Sequence, residues 1–330
     1  MNAVDPLLQI EDLKTYFYSG DKVIPSVDGV SFHINKGEIV ALVGESGCGK
    51  SVTSLSILGL IDSPGKIEGG RILYHDLDLT RLSQKEKLQI RGKEISIIFQ
   101  EPLAALNPVF TVGYQIQENI MVHERISKKK AKAKAIDLLI KVGIPHPEKV
   151  YQNYPHSLSG GMRQRVMIAM ALSGNPKLII ADEPTTALDV TIQAQILQLL
   201  KEITEQQRTS ILFITHDLGV VAEIADRVIV MYAGQVVEQA DVYSLFDNPK
   251  HPYTKALFNS SPKMDQIDEE LTAIEGAVPS PFEKPMGCKF HTRCPYVMGK
   301  CKSISPDLEE NNGHLVRCWL STENAKSEVT

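Results

Sequence analysis

The sequence of 330 residues lacks an apolar run long enough to span a membrane, and its first residues, MNAVDPLLQIEDL, lack a basic region followed by an apolar stretch. We therefore expect neither a membrane span nor a secretory leader, and we expect a cytosolic protein. A clustered basic stripe is also missing. The formal net charge is −5, and the one basic run, SKKKAKAK, is expected to be a solvated helix face, which argues against general DNA binding.

Cysteine is scarce as well, and internal repeats and low-complexity tracts are absent. There are 5 cysteines, and all but Cys48 follow residue 287. The composition, with 43% apolar and 23% charged residues, is typical of a soluble globular protein. The length suits one large α/β domain with an accessory piece, and proline and cysteine become frequent beyond about Phe258. We predict one domain over residues 1–258 and an extension over 259–330.

Short apolar runs alternate with helical patterns along the first 258 residues. LLQIEDL, VSFHI, GEIVALVG, RILYH, EISIIFQ, KLIIAD, SILFITH and DRVIVMYAGQVVE are expected to be strands, and SVTSLSILGLI has helical spacing. A mainly helical stretch from about Glu101 to Ser157 interrupts this alternation. Strands that alternate with helices indicate an α/β fold with a largely parallel sheet covered on both faces.

The run GESGCGKS joins the third of these strands to the first helix, and it matches the phosphate-binding loop pattern. Its glycines allow backbone N–H groups to surround the phosphates, its lysine reaches their oxygens, and its last serine can bind magnesium. The helix that follows directs its positive N-terminus at the same anion. The expected nucleotide ligands are Gly44, Glu45, Ser46, Gly47, Cys48, Gly49, Lys50, Ser51 and Val52.

Two acids follow the buried run KLIIA, at the strand end where open α/β sheets bind ligands. Asp182 is expected to hold magnesium, directly or through water, and Glu183 to polarise the attacking water. Two more strands also end in polar side chains, Gln100 after EISIIF and His216 after SILFIT. A further glycine-rich turn, LSGGM, has no lysine, although its Ser159, Gly160 and Gly161 can cap a helix whose amides meet an anion.

In this order the motifs resemble those of the ATP-binding-cassette (ABC) ATPases over roughly residues 8–258. The resemblance implies a mixed sheet with an inserted helical subdomain at about 101–160. It also implies that two cassettes meet head to tail, each ATP lying between one phosphate loop and the partner's LSGGM. Gln100 would then sense magnesium and water, His216 would contact the γ-phosphate, and Asp189 would cross the interface. Phe17 would stack on adenine, with Tyr16 and Tyr18 as competitors.

The segments IFQEPLAALNP and NPKHPYTKAL and the cysteine-rich tail are similar to those of the ATPase subunits of dipeptide, oligopeptide and nickel importers. One departure is Glu101, where that family more often has aspartate. The resemblance implies a peripheral subunit at the cytoplasmic membrane face. Its partners would be a second cassette, two transmembrane permease subunits and an extracytoplasmic binding protein. It leaves open which peptide, or whether nickel, is carried, and whether the second cassette is identical.

The cysteines Cys288, Cys294, Cys301 and Cys318 have the spacing C-x5-C-x6-C-x16-C. Disulfides are disfavoured in a reducing cytosol, so the pattern predicts a metal site, and the spacing alone does not choose between zinc and iron–sulfur. The GCKFHTRCP segment resembles importer tails that carry a 4Fe-4S cluster, which favours iron. Alternative functions are a soluble cassette ATPase that acts on nucleic acid or ribosomes, and a redox or metal sensor that binds ATP.

Overall fold

The structure, a computed structural model, describes residues 6–186, 188–260 and 274–321. They form two compact units. The first unit contains Ile34–Ile39 and Arg81–Ile214, and the second contains Leu8–His33, Val40–Thr80 and the described residues from Thr215 onwards. Among the described residues, no helix has both the length and the apolar character that a membrane crossing requires.

The second unit begins with an antiparallel sheet and the strand that leads to the phosphate loop. Its elements are β1 (Leu8–Ser19), β2 (Lys22–Ile34), β3 (Ile39–Val43), α1 (Lys50–Leu58), β4 (Gly65–Tyr74) and β5 (Leu77–Asp78). The sheet has the order β2-β1-β4-β5. All five residues of β3, IVALV, are buried, as expected of a strand covered on both faces. This burial fixes the end of β3 as a rigid base for the loop.

The first unit combines a parallel sheet with helices that follow one another between its strands. Its elements are α2 (Gln84–Ile90), β6 (Ile95–Ile98), α3 (Pro102–Ala105), α4 (Val112–His123), α5 (Lys128–Lys141), α6 (Pro147–Gln152), α7 (Gly160–Leu172), β7 (Leu178–Asp182), α8 (Val190–Gln207) and β8 (Ser210–Ile214). Strand β7 pairs in parallel with both β6 and β8. The stretch predicted to be helical contains α3 to α6, and its extent as a subdomain stays a prediction.

The second unit continues after β8 with α9 (Leu218–Ile224), β9 (Arg227–Tyr232), β10 (Gln235–Asp241), α10 (Val242–Asp247), α11 (Pro252–Asn259), β11 (Glu309–Asn311) and β12 (His314–Val316). The run DRVIVMYAGQVVE, predicted to be a strand, is therefore two antiparallel strands. Ala233 and Gly234 have φ of 48° and 89°, the positive values that a two-residue hairpin turn requires. Strand β9 pairs in parallel with β3, and β10 pairs antiparallel with β12.

An aromatic core joins residues from both sides of the predicted domain boundary. Tyr232, Tyr253 and Phe290 are all at most 2% exposed, and their ring centroids lie 4.6 to 5.4 Å apart. Cys288 and Cys294 pack against the same cluster. The region after Phe258 has few apolar residues, and it shares this core with β9 and α11. The boundary after residue 258 stays a prediction.

Candidate functional site

The phosphate loop turns sharply between β3 and α1, and its glycines make the turn possible. Gly44 has φ of 151°, and a Cβ there would lie 2.2 Å from Met231 O. Gly49 has φ of 108°, and its Cβ would lie 2.6 Å from Ser26 O. Both positions combine a positive φ with a contact to neighbouring backbone, so they accept only glycine. The spacing of these glycines alone predicts that they belong to the loop.

Lys50 is the first residue of α1, and its side chain is directed back over the loop. It is 7% exposed, and its Nζ donates hydrogen bonds to Gly44 O at 2.7 Å and to Glu45 O at 3.1 Å. The helix begins without a side-chain cap, since Gly49 precedes it in the left-handed region. A buried ammonium group and the positive end of a helix are therefore concentrated on the loop, where they favour an anion.

The remaining loop residues divide by exposure. Ser46, Gly47 and Ser51 are exposed, Val52 is half-buried, and Cys48 is 1% exposed. Burial raises the pKa of the Cys48 thiol, so it stays protonated and acts as a small packing residue. Ser51 lies exposed in the first turn of α1.

Two residues that sequence analysis did not assign to the loop hold Glu45. The Glu45 backbone N–H donates a hydrogen bond to Tyr253 Oη at 2.9 Å. The Glu45 carboxylate accepts from Arg293 Nη1 at 2.8 Å and from Nη2 at 3.2 Å. Tyr253 belongs to HPYTKAL, which sequence analysis noted for a different reason. No sequence signal identified Arg293.

In the first unit, Glu183 follows β7 and is held from two sides. Its Oε2 accepts hydrogen bonds from Gln100 Nε2 at 2.7 Å and from Thr186 Oγ1 at 3.0 Å. Glu183 has φ of 48°, a left-handed conformation that is uncommon for a residue with a side chain and recurs at functional sites. Gln100 and Glu183 are predicted from the sequence separately, whereas the contact of Thr186 with Glu183 is not.

The other two predicted polar residues also lie at strand ends. Asp182 is the last residue of β7, where it pairs with Ile214 of β8, and its side chain is half-buried. His216 lies two residues beyond β8, belongs to the second unit, and is exposed. The strand that Asp182 ends and the strand that precedes His216 are both buried along their length, which keeps these backbone positions fixed.

The LSGGM turn starts α7 and opens into a cavity of about 530 Å³ within the first unit. Ser159 caps the helix by accepting a hydrogen bond from Met162 N at 3.4 Å, and Asp189 caps α8 by accepting from Ile192 N at 2.9 Å. Ser159, Gly160, Gly161 and Asp189 all line the cavity. Two capped helix N-termini thus meet at one open concave surface, which suits an anion brought by another molecule.

The three aromatic residues of TYFY differ in their contacts. Tyr16 Oη donates to Asp28 Oδ1 at 2.9 Å, and Tyr18 Oη donates to Glu68 Oε1 at 2.6 Å. Phe17 pairs with Gly65 across β1 and β4, and a Cβ at Gly65 would lie 2.6 Å from the Phe17 ring. The Phe17 ring carries no polar group, whereas both tyrosines are held by carboxylates.

The four cysteines of the extension, Cys288, Cys294, Cys301 and Cys318, all line one small cavity, and all four are free thiols. Burial raises the pKa of the Cys288, Cys294 and Cys318 thiols, that of Cys318 to about 12. A metal would have to displace these protons to bind. Over residues 6–186, 188–260 and 274–321, no three His, Cys, Asp or Glu side chains are grouped so that they could hold a metal ion.

The two histidines near the cysteines have hydrogen-bond partners of their own. His291 Nδ1 lies 2.8 Å from Cys288 O. His314 Nε2 lies 2.7 Å from Glu238 Oε1, and both side chains are buried. His314 is therefore a core residue.

Comparison with known proteins identifies both parts of the chain. The family model described as ABC transporter matches residues 27–186, and the one described as oligopeptide/dipeptide transporter, C-terminal region, matches residues 237–301. Among solved structures, the dimeric post-hydrolysis state of the ATP-binding cassette MJ0796 bound to ADP and Pi has a TM-score of 0.65 and 28% identity, and the match covers 71% of this chain and 98% of that one. The expected cassette fold is confirmed.

Curated relatives match over almost their whole length. The oligopeptide transport ATP-binding protein AppD of Bacillus subtilis is 56% identical over 98% of this chain and 99% of its own. The dipeptide transport ATP-binding protein DppD of Escherichia coli is 49% identical over 97% of this chain and 98% of its own. The chain therefore belongs to the ABC transporter ATPase family, in the group of the oligopeptide and dipeptide transport ATP-binding proteins.

Proposed function

We propose that this ATPase energises an importer of dipeptides or oligopeptides. The support is the transport activity in the names of AppD and DppD, together with the match of residues 237–301 to the transporter C-terminal region. The observation that carries the catalytic part of the proposal is the hydrogen bond of 2.7 Å from Gln100 to Glu183, because it orients a carboxylate at a strand end as water activation requires. Neither nickel import nor an ATPase role outside transport has comparable support.

Nucleotide binding is assigned to the loop of the second unit. The backbone N–H groups of residues 44–52 and the Lys50 ammonium bind the phosphates. The Ser51 hydroxyl, the Gln100 amide oxygen and the Asp182 carboxylate are the oxygen donors that Mg²⁺ prefers, so they fit this ion. When bound with ATP, this ion would supply charge neutralisation to the phosphates. Phe17 is proposed to stack on adenine, because its ring carries no polar group.

Hydrolysis is assigned to three further side chains. Glu183 accepts a proton from the attacking water as general base, and Gln100 holds both Glu183 and that water. His216, exposed after β8, contacts the γ-phosphate. The left-handed backbone of Glu183 supports the assignment, since strain of this kind is retained where it orients a functional group.

The cavity of about 530 Å³ at LSGGM is proposed to receive the ATP of a second cassette. The amides at the start of α7, capped by Ser159 and followed by Gly160 and Gly161, would meet the γ-phosphate, and Asp189 would contact the partner. The dimeric state of MJ0796 supports this arrangement by likeness. ATP would close the two cassettes together, and hydrolysis would release them, which switches the transporter between its inward- and outward-facing states.

We infer the other partners from membership of this family. ABC importer ATPases are membrane-associated, so we place this chain at the cytoplasmic face as a peripheral subunit. Two permease subunits would dock on it, and an extracytoplasmic binding protein would deliver the peptide. The second cassette would be either an identical chain or a sister subunit.

We further propose that Cys288, Cys294, Cys301 and Cys318 bind a 4Fe-4S cluster. All four thiols line one cavity, which supports a shared metal centre. Zinc would require the sulfurs at about 2.3 Å from one point. Zinc bound by the same four thiolates is the alternative metal. When bound, the cluster would supply tetrathiolate cross-linking and a redox-active centre.

The transport proposal is tested by purifying the chain with its native co-purifying subunits and reconstituting the complex in proteoliposomes. We expect ATP-dependent uptake of labelled dipeptides or oligopeptides that requires the binding protein. ATP-dependent uptake of nickel without peptide uptake would contradict the peptide assignment. ATPase activity with no co-purifying permease would contradict import altogether.

A further inference from the structure

A side chain of the C-terminal extension makes a two-point ion pair with the phosphate loop. Arg293 Nη1 lies 2.8 Å from Glu45 Oε2, and Nη2 lies 3.2 Å from Glu45 Oε1. The Arg293 side chain is 3% exposed and that of Glu45 is 24% exposed. A planar guanidinium that meets a carboxylate at two points, largely away from water, fixes both position and orientation.

The Arg293 guanidinium is also held from its other sides. Its Nε donates to Glu275 O at 3.0 Å, and Nη2 donates to Ile274 O at 3.1 Å. Its carbon Cζ lies 5.9 Å from the centroid of the Tyr232 ring. These contacts fix the orientation of the Arg293 guanidinium independently of Glu45. The ion pair in turn fixes the position of the Glu45 carboxylate.

The restraint on Glu45 also acts on Lys50, the residue proposed to bind phosphate. Its backbone N–H donates to Tyr253 Oη at 2.9 Å, and its carbonyl oxygen accepts from Lys50 Nζ at 3.1 Å. Side chain, amide and carbonyl of Glu45 therefore each have a partner, and one of these partners is the phosphate-binding lysine. A shift of Glu45 changes the geometry that Lys50 presents to the nucleotide.

Arg293 is also connected to the cysteine cavity. Arg293 directly precedes Cys294, and its backbone N–H donates to Phe290 O at 3.0 Å. Phe290 lines the cavity and packs against both Tyr232 and Tyr253. The turn from Cys288 to Cys294 therefore carries cavity-lining thiols and the guanidinium on one short segment, so a rearrangement of the thiols displaces Arg293.

We propose that Arg293 is a positioning residue for the phosphate loop, and that the metal state of the cysteine cavity sets, through Arg293 and Glu45, how tightly the loop binds MgATP. The second half rests on the metal site proposed above. With the metal bound, the turn is fixed and the ion pair holds Glu45. Without it, the turn relaxes and the loop loses this restraint, so affinity for MgATP falls.

The first test measures MgATP binding by calorimetry in the full chain with Glu183→Gln, which removes hydrolysis from the readout. We expect Arg293→Gln to weaken binding about tenfold, as the loss of a close charge pair does. Glu45→Gln should give the same loss while leaving the extension intact, and the double variant should be no weaker than either single one. Lys289→Gln is the matched control, because its ammonium donates to Pro285 O within the same segment.

The second test compares protein purified without oxygen with the same protein after oxidative removal of its metal. Metal removal should weaken MgATP binding about tenfold in the Glu183→Gln background and should have no further effect once Arg293→Gln is present. Unchanged binding in both Arg293→Gln and Glu45→Gln would overturn the positioning role. Equal losses on metal removal with and without Arg293 would overturn the link to the cavity. Protein that contains no metal yet loses affinity with Arg293→Gln would contradict the proposed cluster and uphold the positioning role.

Discussion

Gln100 Nε2 donates a hydrogen bond of 2.7 Å to Glu183 Oε2, although the two residues are 83 positions apart in the sequence. Gln100 follows β6 and Glu183 follows β7, and these strands are parallel neighbours with Ile98 paired to Ala181. The carboxyl ends of parallel strands meet at one edge of the sheet, which brings the amide to the carboxylate. The hydrogen bond directs Glu183 before any substrate is present.

Replacing Glu183 with glutamine should abolish turnover while preserving ATP binding. An amide cannot accept the proton of the attacking water, so we expect the rate of phosphate release to fall by about 10² to 10⁴. ATP affinity should change by less than about twofold, since Lys50 and the loop are unaltered. The variant should accumulate as an ATP-bound dimer with its partner cassette, as measured by size-exclusion chromatography.

Glu202→Gln is the control for this change, because Glu202 lies on α8 in the same unit and accepts a hydrogen bond from Gln198 at 3.0 Å. It should leave hydrolysis unaltered. Near-normal phosphate release from Glu183→Gln would mean that another group activates the water.

Replacing Ser159 with arginine should block hydrolysis of the partner's ATP and leave this chain's own ATP affinity nearly unchanged. The bulky cation would fill the cavity at the start of α7, where the partner's γ-phosphate is proposed to enter. Ser127→Arg is matched to it, since Ser127 caps α5 of the same unit by accepting from Lys130 N at the same distance of 3.4 Å. Both variants lose a helix cap at a cost of about 1 kcal/mol.

To separate the two ATP sites, each variant is mixed with a partner cassette whose own hydrolysis is intact. Hydrolysis of the partner's ATP is then measured. Loss of partner hydrolysis with Ser159→Arg but not with Ser127→Arg supports the composite site. A collapse of ATP affinity in isolated Ser159→Arg would instead assign LSGGM to this chain's own nucleotide.

Protein purified without oxygen should be brown and should contain about four irons and four sulfides per chain, as a 4Fe-4S cluster requires. Cys294→Ser should remove the colour, because serine does not replace a thiolate ligand. Cys48→Ser is the matched control, since Cys48 lies in the loop, and this variant should stay brown. Colourless protein with one zinc per chain would defeat the cluster while leaving the ATPase assignment intact.

The unfolding free energy should depend on pH through Lys284. Burial lowers the pKa of this ammonium from 10.5 to about 8 in the folded chain, where it donates to Pro25 O and Ala233 O. Between these values the unfolded chain binds more protons, so the contribution of Lys284 to stability increases as pH rises from about 8 to 10.5 and is lost as pH falls through 8. The change is on the order of 3 kcal/mol.

Denaturant titrations of the wild type and Lys284→Met across this pH range measure the effect. The unfolding free energy of the wild type minus that of Lys284→Met should become more positive as pH rises. Lys289→Met, which removes a lysine of the same segment, controls for net charge. A difference that stays constant from pH 7.5 to 10.5 would contradict the lowered pKa.

The sequence by itself determined the parts of this protein whose chemistry is local. The loop from Gly44 to Ser51 could be predicted because its glycine spacing, its lysine and the apolar strand before it lie within a dozen residues or so. The Asp182–Glu183 pair and the LSGGM cap could be predicted for the same reason, since short-range spacing and strand or helix periodicity decide them. The four cysteines of the extension were identified as a set from their spacing.

Only the tertiary structure decided which distant residues meet. The contact of Arg293 with Glu45 spans 248 positions, and that of Tyr253 with Glu45 spans 208. Such contacts depend on strand order and on the shared packing of Tyr232, Tyr253 and Phe290. Their side chains carry no periodic signal, because a single polar residue in a loop fits many surroundings equally well until the fold gives it one partner.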